Sequence, residues 1–278
     1  MKNIFSVDVE DWFHILGLKK PPPIESWGNL ESRIKNNFYT LLDMFDKNNT
    51  KVTCFFLGWV AENFPELVKE ACSRGHEIAS HGYAHLLVYK QTRKEFFEDI
   101  LKTKILLEDI SGEEVIGYRA PGFSITESTE WAFSEIARAG YKYDSSLFPA
   151  SREHGGIKKK LIFPHTIYTE YGSIKEFPIS VKEILYKRIC FFGGGYLRLF
   201  PYKIINHMTK AVNSDNRPVI YYIHPRDIDY YQPKLPMGWK KKFKSYFNIY
   251  STQSKINKLL TNQQVTSFKR WLIEYENS

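Results

Sequence analysis

The sequence predicts an α/β protein built on a largely parallel sheet. Short β-rich runs and amphipathic helical segments alternate along most of the chain, with no internal repeat or low-complexity tract between them. Of the 278 residues, 43% are hydrophobic and 16% are aromatic, which is enough apolar material for a substantial buried core. Because this many strand–helix repeats can close on themselves, we expect the sheet to form a (β/α) barrel.

The individual elements follow from hydrophobic periodicity and from residues that end helices. The predicted strands cover residues 3–9, 51–58, 76–80, 114–122, 141–146 and 217–225. The predicted helices cover residues 29–49, 65–75, 92–112, 128–140 and 201–215. Gly75 fits the end of the second helix, since glycine readily adopts the left-handed conformation found there.

Residues 147–200 break this alternation. They are rich in proline, glycine and aromatic residues and end in FFGGGYLRLFP, so we expect long loops with short strands that build a binding surface over the barrel mouth. No linker is recognisable. We therefore predict a single domain over residues 1–278, with a C-terminal extension from about residue 226 to 278 packed on the barrel.

The cysteines and the first residues bear on the cellular compartment. Cys54, Cys72 and Cys190 are odd in number and scattered, which argues against a disulfide framework and against a cysteine zinc site. The sequence MKNIFSVDVEDWF leaves no room for the apolar core of a signal peptide, and no window offers a membrane span. We expect a soluble cytoplasmic protein.

The net charge is positive, with 39 lysines and arginines against 31 aspartates and glutamates. Part of the excess lies in GWKKKFKSYF, residues 238–247, where lysines alternate with aromatic residues. This segment fits a peripheral contact with an anionic membrane or a lipid-linked carrier, and it equally fits a solvated rim with buried aromatic stems. Without a nucleic-acid-binding module in the sequence, we expect no nucleic-acid partner, and we infer no obligate protein partner.

Polar residues with catalytic chemistry stand at the ends of several predicted strands. In α/β barrels, function gathers at the carboxyl ends of the strands, and these ends carry Asp8, Glu10, Asp11, His81, His85, Arg119, Asp144 and His224. Taken singly, each has a plain explanation as a helix cap, a core hydrogen bond or a surface ion pair. Together, two imidazoles and a carboxylate form an open site for a divalent ion, and a second carboxylate can serve as a base. The set indicates a metal-dependent hydrolase.

The ordered motifs SVDVED, SHGYAH, YRAPGF, YDSSLFP and YYIHP resemble those of the polysaccharide deacetylase superfamily (NodB homology, carbohydrate esterase family 4). SVDVEDWFH, GGGYLRLFP and the segment NIYSTQSKINKLLTNQQVTSFKRWL are similar to the cytoplasmic branch associated with exopolysaccharide biosynthesis. The resemblance extends from about residue 2 to 272. It implies a distorted (β/α) barrel of NodB type, commonly with seven strands, that removes N-acetyl groups from amino sugars.

The resemblance also implies roles for individual residues. Asp8 matches the catalytic base, Arg119 the arginine that orients it, and His224 the general acid. His81 and His85 match the two metal-binding histidines. Two further positions match parts of the substrate site: Phe123, or a residue nearby, supplies the backbone N–H that stabilises the oxyanion, and Asp144 belongs to a motif that lines the groove.

The sequence does not decide which residue is the third metal ligand. Many family members have two adjacent aspartates in the first motif, whereas this chain reads Asp8, Val9, Glu10, Asp11. On a strand, positions 8 and 10 share a face, which favours Glu10 beside Asp8. Beyond the end of the strand that alternation lapses, so Asp11 remains an equal alternative.

The predicted function is removal of N-acetyl groups from a polysaccharide or a lipid-linked glycan precursor, with release of acetate. A divalent metal, zinc by preference, would polarise the acetamide carbonyl and acidify water. His224 would need a carboxylate partner, either Asp227 or Asp229, to favour its protonated form. Two alternatives remain: an amidohydrolase acting on a small amide, and a catalytically silent carbohydrate-binding protein.

Overall fold

The computed structural model describes residues 1–152, 154–157 and 160–276. Its strands are β1 (Asn3–Val9), β2 (Thr53–Phe56), β3 (Glu77–Ser80), β4 (Gly117–Tyr118), β5 (Tyr143–Asp144), β6 (His165–Thr169), β7 (Gly172–Glu176), β8 (Lys182–Ile184), β9 (Lys187–Ile189), β10 (Ile220–Ile223) and β11 (Val265–Thr266). Its α-helices are α1 (Ile34–Lys47), α2 (Gly58–Asn63), α3 (Pro65–Ser73), α4 (Arg93–Ser111), α5 (Ala132–Arg138), α6 (Gly194–Leu199), α7 (Tyr202–Asn213), α8 (Trp239–Tyr246), α9 (Thr252–Asn262) and α10 (Phe268–Glu276).

The central sheet confirms the predicted α/β class. Its strands follow the order β10-β1-β2-β3-β4-β5-β7-β6, and every pair from β10 to β7 is parallel, which gives seven parallel strands along this path. β6 joins antiparallel to β7, and β11 pairs with β1. β1 is buried along its whole length, as expected for a strand covered on both faces.

The two ends of the strand path approach each other. The segment that follows β7 runs back towards β10, where the Ser180 hydroxyl accepts a hydrogen bond from the Ile220 N–H and donates to the Pro218 carbonyl. The Arg217 guanidinium donates to the Val181 carbonyl at the same place. A serine side chain thus spans the gap between the ends of the sheet.

Two of the predicted helices, α4 and α3, have terminal residues that favour a helix end. α4 starts with a capping box, in which Thr92 accepts from the Glu95 N–H and the Glu95 carboxylate accepts from the Thr92 N–H. It ends at Gly112, which has a φ of 72° in the left-handed region. α3 carries Pro65 in its first turn, where the missing N–H has no cost.

Several predicted boundaries differ from the observed ones. The strand predicted over residues 114–122 is reduced to β4, because the chain turns at Pro121–Phe123 immediately afterwards. The helix α2 was not predicted; the N–H groups of Gly58 and Trp59 at its start donate to the carbonyls of Gly82 and Tyr83. These tertiary bonds replace a local cap.

The segment 147–200 contributes more than loops. It supplies β7 to the central sheet, the β8–β9 hairpin and the short helix α6, while positions 153, 158 and 159 lie outside the described residues. The C-terminal extension supplies α8, α9, β11 and α10, of which β11 pairs with the start of β1. Among the described residues, no helix is long and apolar enough to cross a membrane.

A buried carboxyl pair lies where β5 meets β7. Asp144 and Glu176 occupy paired positions in the sheet and contact each other, and the Leu147 N–H donates to Glu176 Oε1. Burial, reinforced by the neighbouring charge of Asp144, raises the pKa of Glu176 well above its usual value. The two groups therefore share a proton in the folded protein.

We predict that Glu176→Gln will stabilise the protein at high pH. A raised carboxyl pKa contributes stability below the unfolded value of 4.5 that is lost as the pH rises through the folded value, and glutamine does not ionise. Each pKa unit corresponds to about 1.4 kcal/mol. The Tm difference between variant and wild type should therefore increase as the pH rises above the unfolded value of 4.5. The exposed Glu127→Gln is the matched control; a constant difference for Glu176→Gln would contradict the shared proton.

Candidate active site

The register of the sheet brings the predicted site residues to one edge. Val9, Phe56, Ser80, Tyr118, Asp144 and Glu176 are paired in one row across the sheet. The residue that follows each of three of these positions is Glu10, His81 or Arg119, so these side chains emerge side by side just beyond the strand ends. His224 follows β10, whose Ile223 pairs with Val7 of β1.

Arg119 and Asp8 form a fully buried ion pair. Arg119 Nη1 lies 2.6 Å from Asp8 Oδ1, and it also donates to the Ser6 hydroxyl at 2.8 Å. The Arg119 guanidinium stacks on the Phe55 ring, with Cζ 4.1 Å from the ring centroid, and its other donors reach Ser145. One oxygen of Asp8 is thus fixed by Arg119, and Asp8 lines the cavity.

Glu10, His81 and His85 form a group that fits a metal ion. One potential ligand atom from each lies within 4.8 Å of the others. His81 Nδ1 donates to the Arg119 carbonyl at 2.7 Å, which leaves the Nε2 lone pair for a ligand. Glu10 Oε2 is buried without a hydrogen-bond partner in the described part of the chain, although it lies 2.8 Å from His85 Nε2. An orphaned carboxylate oxygen facing two imidazoles suits a divalent cation.

The protonation states of this group agree with metal binding. Burial lowers the pKa of His81 to about 4, so its imidazole is neutral at physiological pH. Burial by itself would raise the pKa of Glu10, but attraction to His85 and His224 holds it well below its usual value. Neutral imidazole and ionised carboxylate are the forms that bind metal ions.

The loop between His81 and His85 is not helical. Gly82 and His85 have φ angles of 71° and 54°, and the Asp99 carboxylate accepts from the Tyr83 N–H. The contacts of Gly82 and Tyr83 with the start of α2 hold this loop against the sheet. The spacing of the two histidines therefore reflects a turn that tertiary contacts stabilise.

Asp11, the alternative third ligand, is placed elsewhere. Its carboxylate accepts hydrogen bonds from the Trp12 N–H, the Ser32 hydroxyl and the Arg33 N–H. Both oxygens are used to cap a short 3-10 helix and to hold the start of α1. The structure thus brings Glu10, and not Asp11, to the two histidines, and the Asp11 assignment requires correction.

His224 is held by a carboxylate chain. Its Nδ1 and its backbone N–H both lie 2.9 Å from Asp227 Oδ2, and Asp227 Oδ1 accepts from Arg198. Burial lowers the pKa of His224, but the charges of Asp227 and Glu10 outweigh burial and raise the pKa above its ordinary value. Asp229, the other predicted partner, is bonded instead to Arg33 and Asn37.

His224 Nε2 faces the same space as the base. It lies 3.9 Å from Asp8 Oδ2 and 3.3 Å from Glu10 Oε1. Gly194 lines the same cavity, and its φ of 49° lies in the left-handed region that favours glycine. The Asp8 carboxylate and the His224 imidazole therefore lie close together in the lining of the same cavity.

Of the two residues predicted to bind substrate, Phe123 lines the cavity and Asp144 does not. Phe123 lines the cavity, but its N–H donates to the Ala120 carbonyl at 3.0 Å and is therefore not a free oxyanion donor. Asp144 is fully buried, and its carboxylate is bonded to Ser146 and faces Glu176. Asp144 stabilises the turn after β5 and does not line the cavity, so its assignment to the groove was wrong.

The site opens into a cavity of about 480 Å³. Its wall combines the strand-end residues with Arg152, Tyr196 and Arg198 from residues 147–200, the segment predicted to build a binding surface. Its wall also contains residues that the sequence analysis did not assign to the site, namely Leu16, Arg226, Phe243, Lys244 and Phe247. His14 is another residue that the sequence did not single out. It is buried near the metal-fitting group, with its ring centroid 6.2 Å from that of His85.

Two families match the chain in adjacent segments. The family described as "Polysaccharide deacetylase" matches residues 29–143, and the family described as "Domain of unknown function (DUF3473)" matches residues 145–273. The boundary between the two matches falls at β5, which pairs with β4 on one side and β7 on the other. One continuous sheet therefore crosses the boundary between the two family matches.

Curated relatives are similar to part of the chain. A peptidoglycan deacetylase of Helicobacter pylori is 35% identical over 112 residues, which are 38% of this chain and 36% of that protein. A peptidoglycan-N-acetylglucosamine deacetylase of Bacillus cereus is 36% identical over 93 residues, 33% of this chain and 34% of that protein. The chain thus spans about a third of the length of these relatives.

Solved structures share the whole fold. A Mycobacterium smegmatis protein assigned to the polysaccharide deacetylases superposes with a TM-score of 0.63 at 17% identity, over 99% of this chain and 91% of that one. An allantoinase superposes with a TM-score of 0.59 at 13% identity, over 95% and 85% of the two chains. At such identities these likenesses concern the fold alone. The match to the polysaccharide deacetylase family covers residues 29–143, less than half of the chain, and this part of the chain is therefore similar to that family.

Proposed function

We propose that this protein is a metal-dependent hydrolase that removes N-acetyl groups from amino sugars of a polysaccharide or a lipid-linked glycan precursor. The observation that carries the proposal is the placement of a restrained carboxylate, Asp8, and a carboxylate-held imidazole, His224, 3.9 Å apart beside a group that fits a metal. The names of the relatives from H. pylori and B. cereus, both peptidoglycan deacetylases, support the same reaction.

Glu10, His81 and His85 would hold the metal ion, and we propose zinc because nitrogen and carboxylate ligands suit it. When bound, a divalent cation supplies Lewis-acid polarisation of the amide carbonyl and acidifies water. The Arg119 carbonyl contributes by fixing His81 through Nδ1.

The protein's own residues carry the proton transfers. Asp8, whose other oxygen is held by Arg119, accepts the proton of the water that attacks the acetyl carbonyl carbon. His224 carries a proton on Nδ1 towards Asp227 and, in its protonated form, a second on Nε2, which it donates to the sugar nitrogen as the C–N bond breaks. The products are acetate and a free amine on the sugar.

We further propose that the protein acts in the cytoplasm as a single domain. The three scattered cysteines support a reducing compartment such as the cytoplasm. The continuous sheet that crosses β5 supports a single domain. A cytoplasmic location would favour a lipid-linked precursor over a finished polymer as the substrate.

The direct test is metal content and acetate release in the same preparation. We expect about one zinc per chain and release of acetate from N-acetylglucosamine oligomers that stops on chelation and returns with zinc. Bound metal without acetate release would redirect the search to a small amide. No bound metal under replete conditions would support a carbohydrate-binding protein without activity.

The roles of base and metal ligand can be separated by two variants. Asp8→Asn should lower kcat by about 10²–10⁴-fold, the range for loss of a general base, while metal content stays nearly intact. His85→Ala should lose both metal and activity. The exposed Asp109→Asn is the control for the same chemical change. Because Asp8 neutralises buried Arg119, circular dichroism and Tm must show that Asp8→Asn is folded; a folded Asp8→Asn with full activity would refute the assignment.

We also propose a peripheral contact with an anionic membrane through α8. Trp239 is 76% exposed and Phe243 is 48% exposed, four residues apart on one face of the helix. Phe247 continues this face, with its ring centroid 4.5 Å from that of Phe243, and both phenylalanines line the cavity. The lysines among them suit an anionic surface, and the aromatic rings suit the membrane interface.

This contact predicts lipid-dependent sedimentation. The protein should sediment with vesicles that contain phosphatidylglycerol and remain in solution with phosphatidylcholine alone, and Trp239→Ala with Phe243→Ala should reduce the bound fraction. Tyr168→Ala, at a residue that is 85% exposed on a distant hairpin, is the aromatic control. Equal sedimentation of all three proteins would contradict the role of α8.

A further inference from the structure

The cavity wall contains buried arginine N–H groups that lack a hydrogen-bond partner in the described residues. They are Nε and Nη1 of Arg226, Nη1 of Arg152 and Nε of Arg198, and all three arginines line the cavity. Buried polar groups are nearly always hydrogen-bonded, so donors left over in a binding cavity call for an acceptor. A bound ligand could supply hydrogen-bond acceptors for these arginine N–H groups.

Arg226 lies beside the metal-fitting group. Its side chain is 13% exposed, and its Nε is 3.8 Å from Glu10 Oε1, which is too far for a hydrogen bond. It follows His224 by two residues, and the turn that contains both is tied back by the Gln232 amide, which donates to the Arg226 carbonyl. The guanidinium is therefore next to the reacting groups but is not neutralised by direct hydrogen bonding to Glu10.

Arg152 supplies a second guanidinium to the lining of the cavity. Its Cζ lies 4.6 Å from the Phe123 ring centroid and 4.9 Å from that of Phe148. Stacking on aromatic rings fixes the plane of a guanidinium and leaves its edge for planar acceptors. This edge includes the unpartnered Nη1.

The cavity lining also contains more cationic than anionic side chains, which favours an anionic ligand. Among the residues that line it, the carboxylates are Asp8 and Glu10, and the cations include Arg152, Arg198, Arg226 and Lys244. Arg198 is paired with Asp227 and Asp8 with Arg119. A neutral oligosaccharide would leave this positive potential unused, whereas an anionic one would be attracted and oriented by it.

We propose that the cavity contains a subsite for an oxyanion on the substrate, a carboxylate or a phosphate attached to the N-acetylated glycan, with Arg226 and Arg152 as its donors. The proposal rests on the proposed deacetylase function and narrows its substrate class. The planar fork of arginine matches both oxyanions, and a contact of this kind fixes the register of the sugar relative to Asp8 and His224.

The test is calorimetric binding to chelated protein, which does not depend on turnover. The probes are N-acetylglucosamine, N-acetylglucosamine 1-phosphate and N-acetylmuramic acid, which carry no anion, a phosphate and a carboxylate. We expect at least one of the two anionic sugars to bind ten-fold or more tightly than the neutral one. The sugar that does so identifies the source of the oxyanion.

Variants assign the donors. Arg152→Gln and Arg226→Gln should each reduce the ratio of anionic to neutral affinity several-fold, whereas Lys242→Gln, which removes the same charge from an exposed residue outside the cavity lining, should leave the ratio unchanged. Because two arginine variants are measured, the test remains decisive if one of them does not fold. Equal affinity for all three sugars in the wild type, or a ratio that both folded arginine variants preserve, would overturn the subsite.

The outcome is separable from that of the proposed function. Anion preference without acetate release from any of the sugars would retain the subsite and reject the deacetylase. Acetate release without a preference for anionic sugars would support the deacetylase and reject the subsite.

Discussion

The buried pair of Arg119 and Asp8 is the constraint on which the rest of the site depends. Arg119 has no exposed surface, and an unpaired charge in that position would be strongly destabilising. Its donors therefore fix Ser6 and Asp8 of β1 and Ser145 after β5, and its ring contact reaches Phe55 of β2. The same residue uses its carbonyl to orient His81. Asp8 and His81 of the metal-fitting group are thus both positioned by Arg119.

The geometry of the parallel sheet explains why distant residues meet there. Paired positions form a row across β1, β2, β3, β4, β5 and β7, so the residues that follow the row lie side by side at one edge. Glu10, His81 and Arg119 follow β1, β3 and β4 at that edge, although about a hundred residues of chain separate the first from the last. β10 adds His224 on the other side of β1.

The second part of the chain builds the cavity around this edge. Lys255 of α9 donates to the carbonyls of Leu197, Arg198 and Phe200, which satisfies the C-terminal end of α6. Arg198 in turn holds Asp227, and Asp227 holds His224. The position of His224 therefore depends on the packing of the C-terminal extension as well as on the central sheet, and Arg198 of α6 and Lys244 of α8 also line the cavity.

The sequence by itself determined the α/β class, the alternation of strands and helices, and the identity of the polar residues at the strand ends, because hydrophobic periodicity and strand-end chemistry are local properties. It could not decide between Glu10 and Asp11, since both follow β1 and the choice depends on Ser32 and Arg33 occupying the Asp11 carboxylate. Nor could it show that Asp144 faces Glu176, or that Asp227 and not Asp229 holds His224. Only the tertiary structure brought Arg152, Arg198 and Arg226 to one cavity, because the three residues lie in segments that are far apart in the chain and no periodic signal within a segment indicates this.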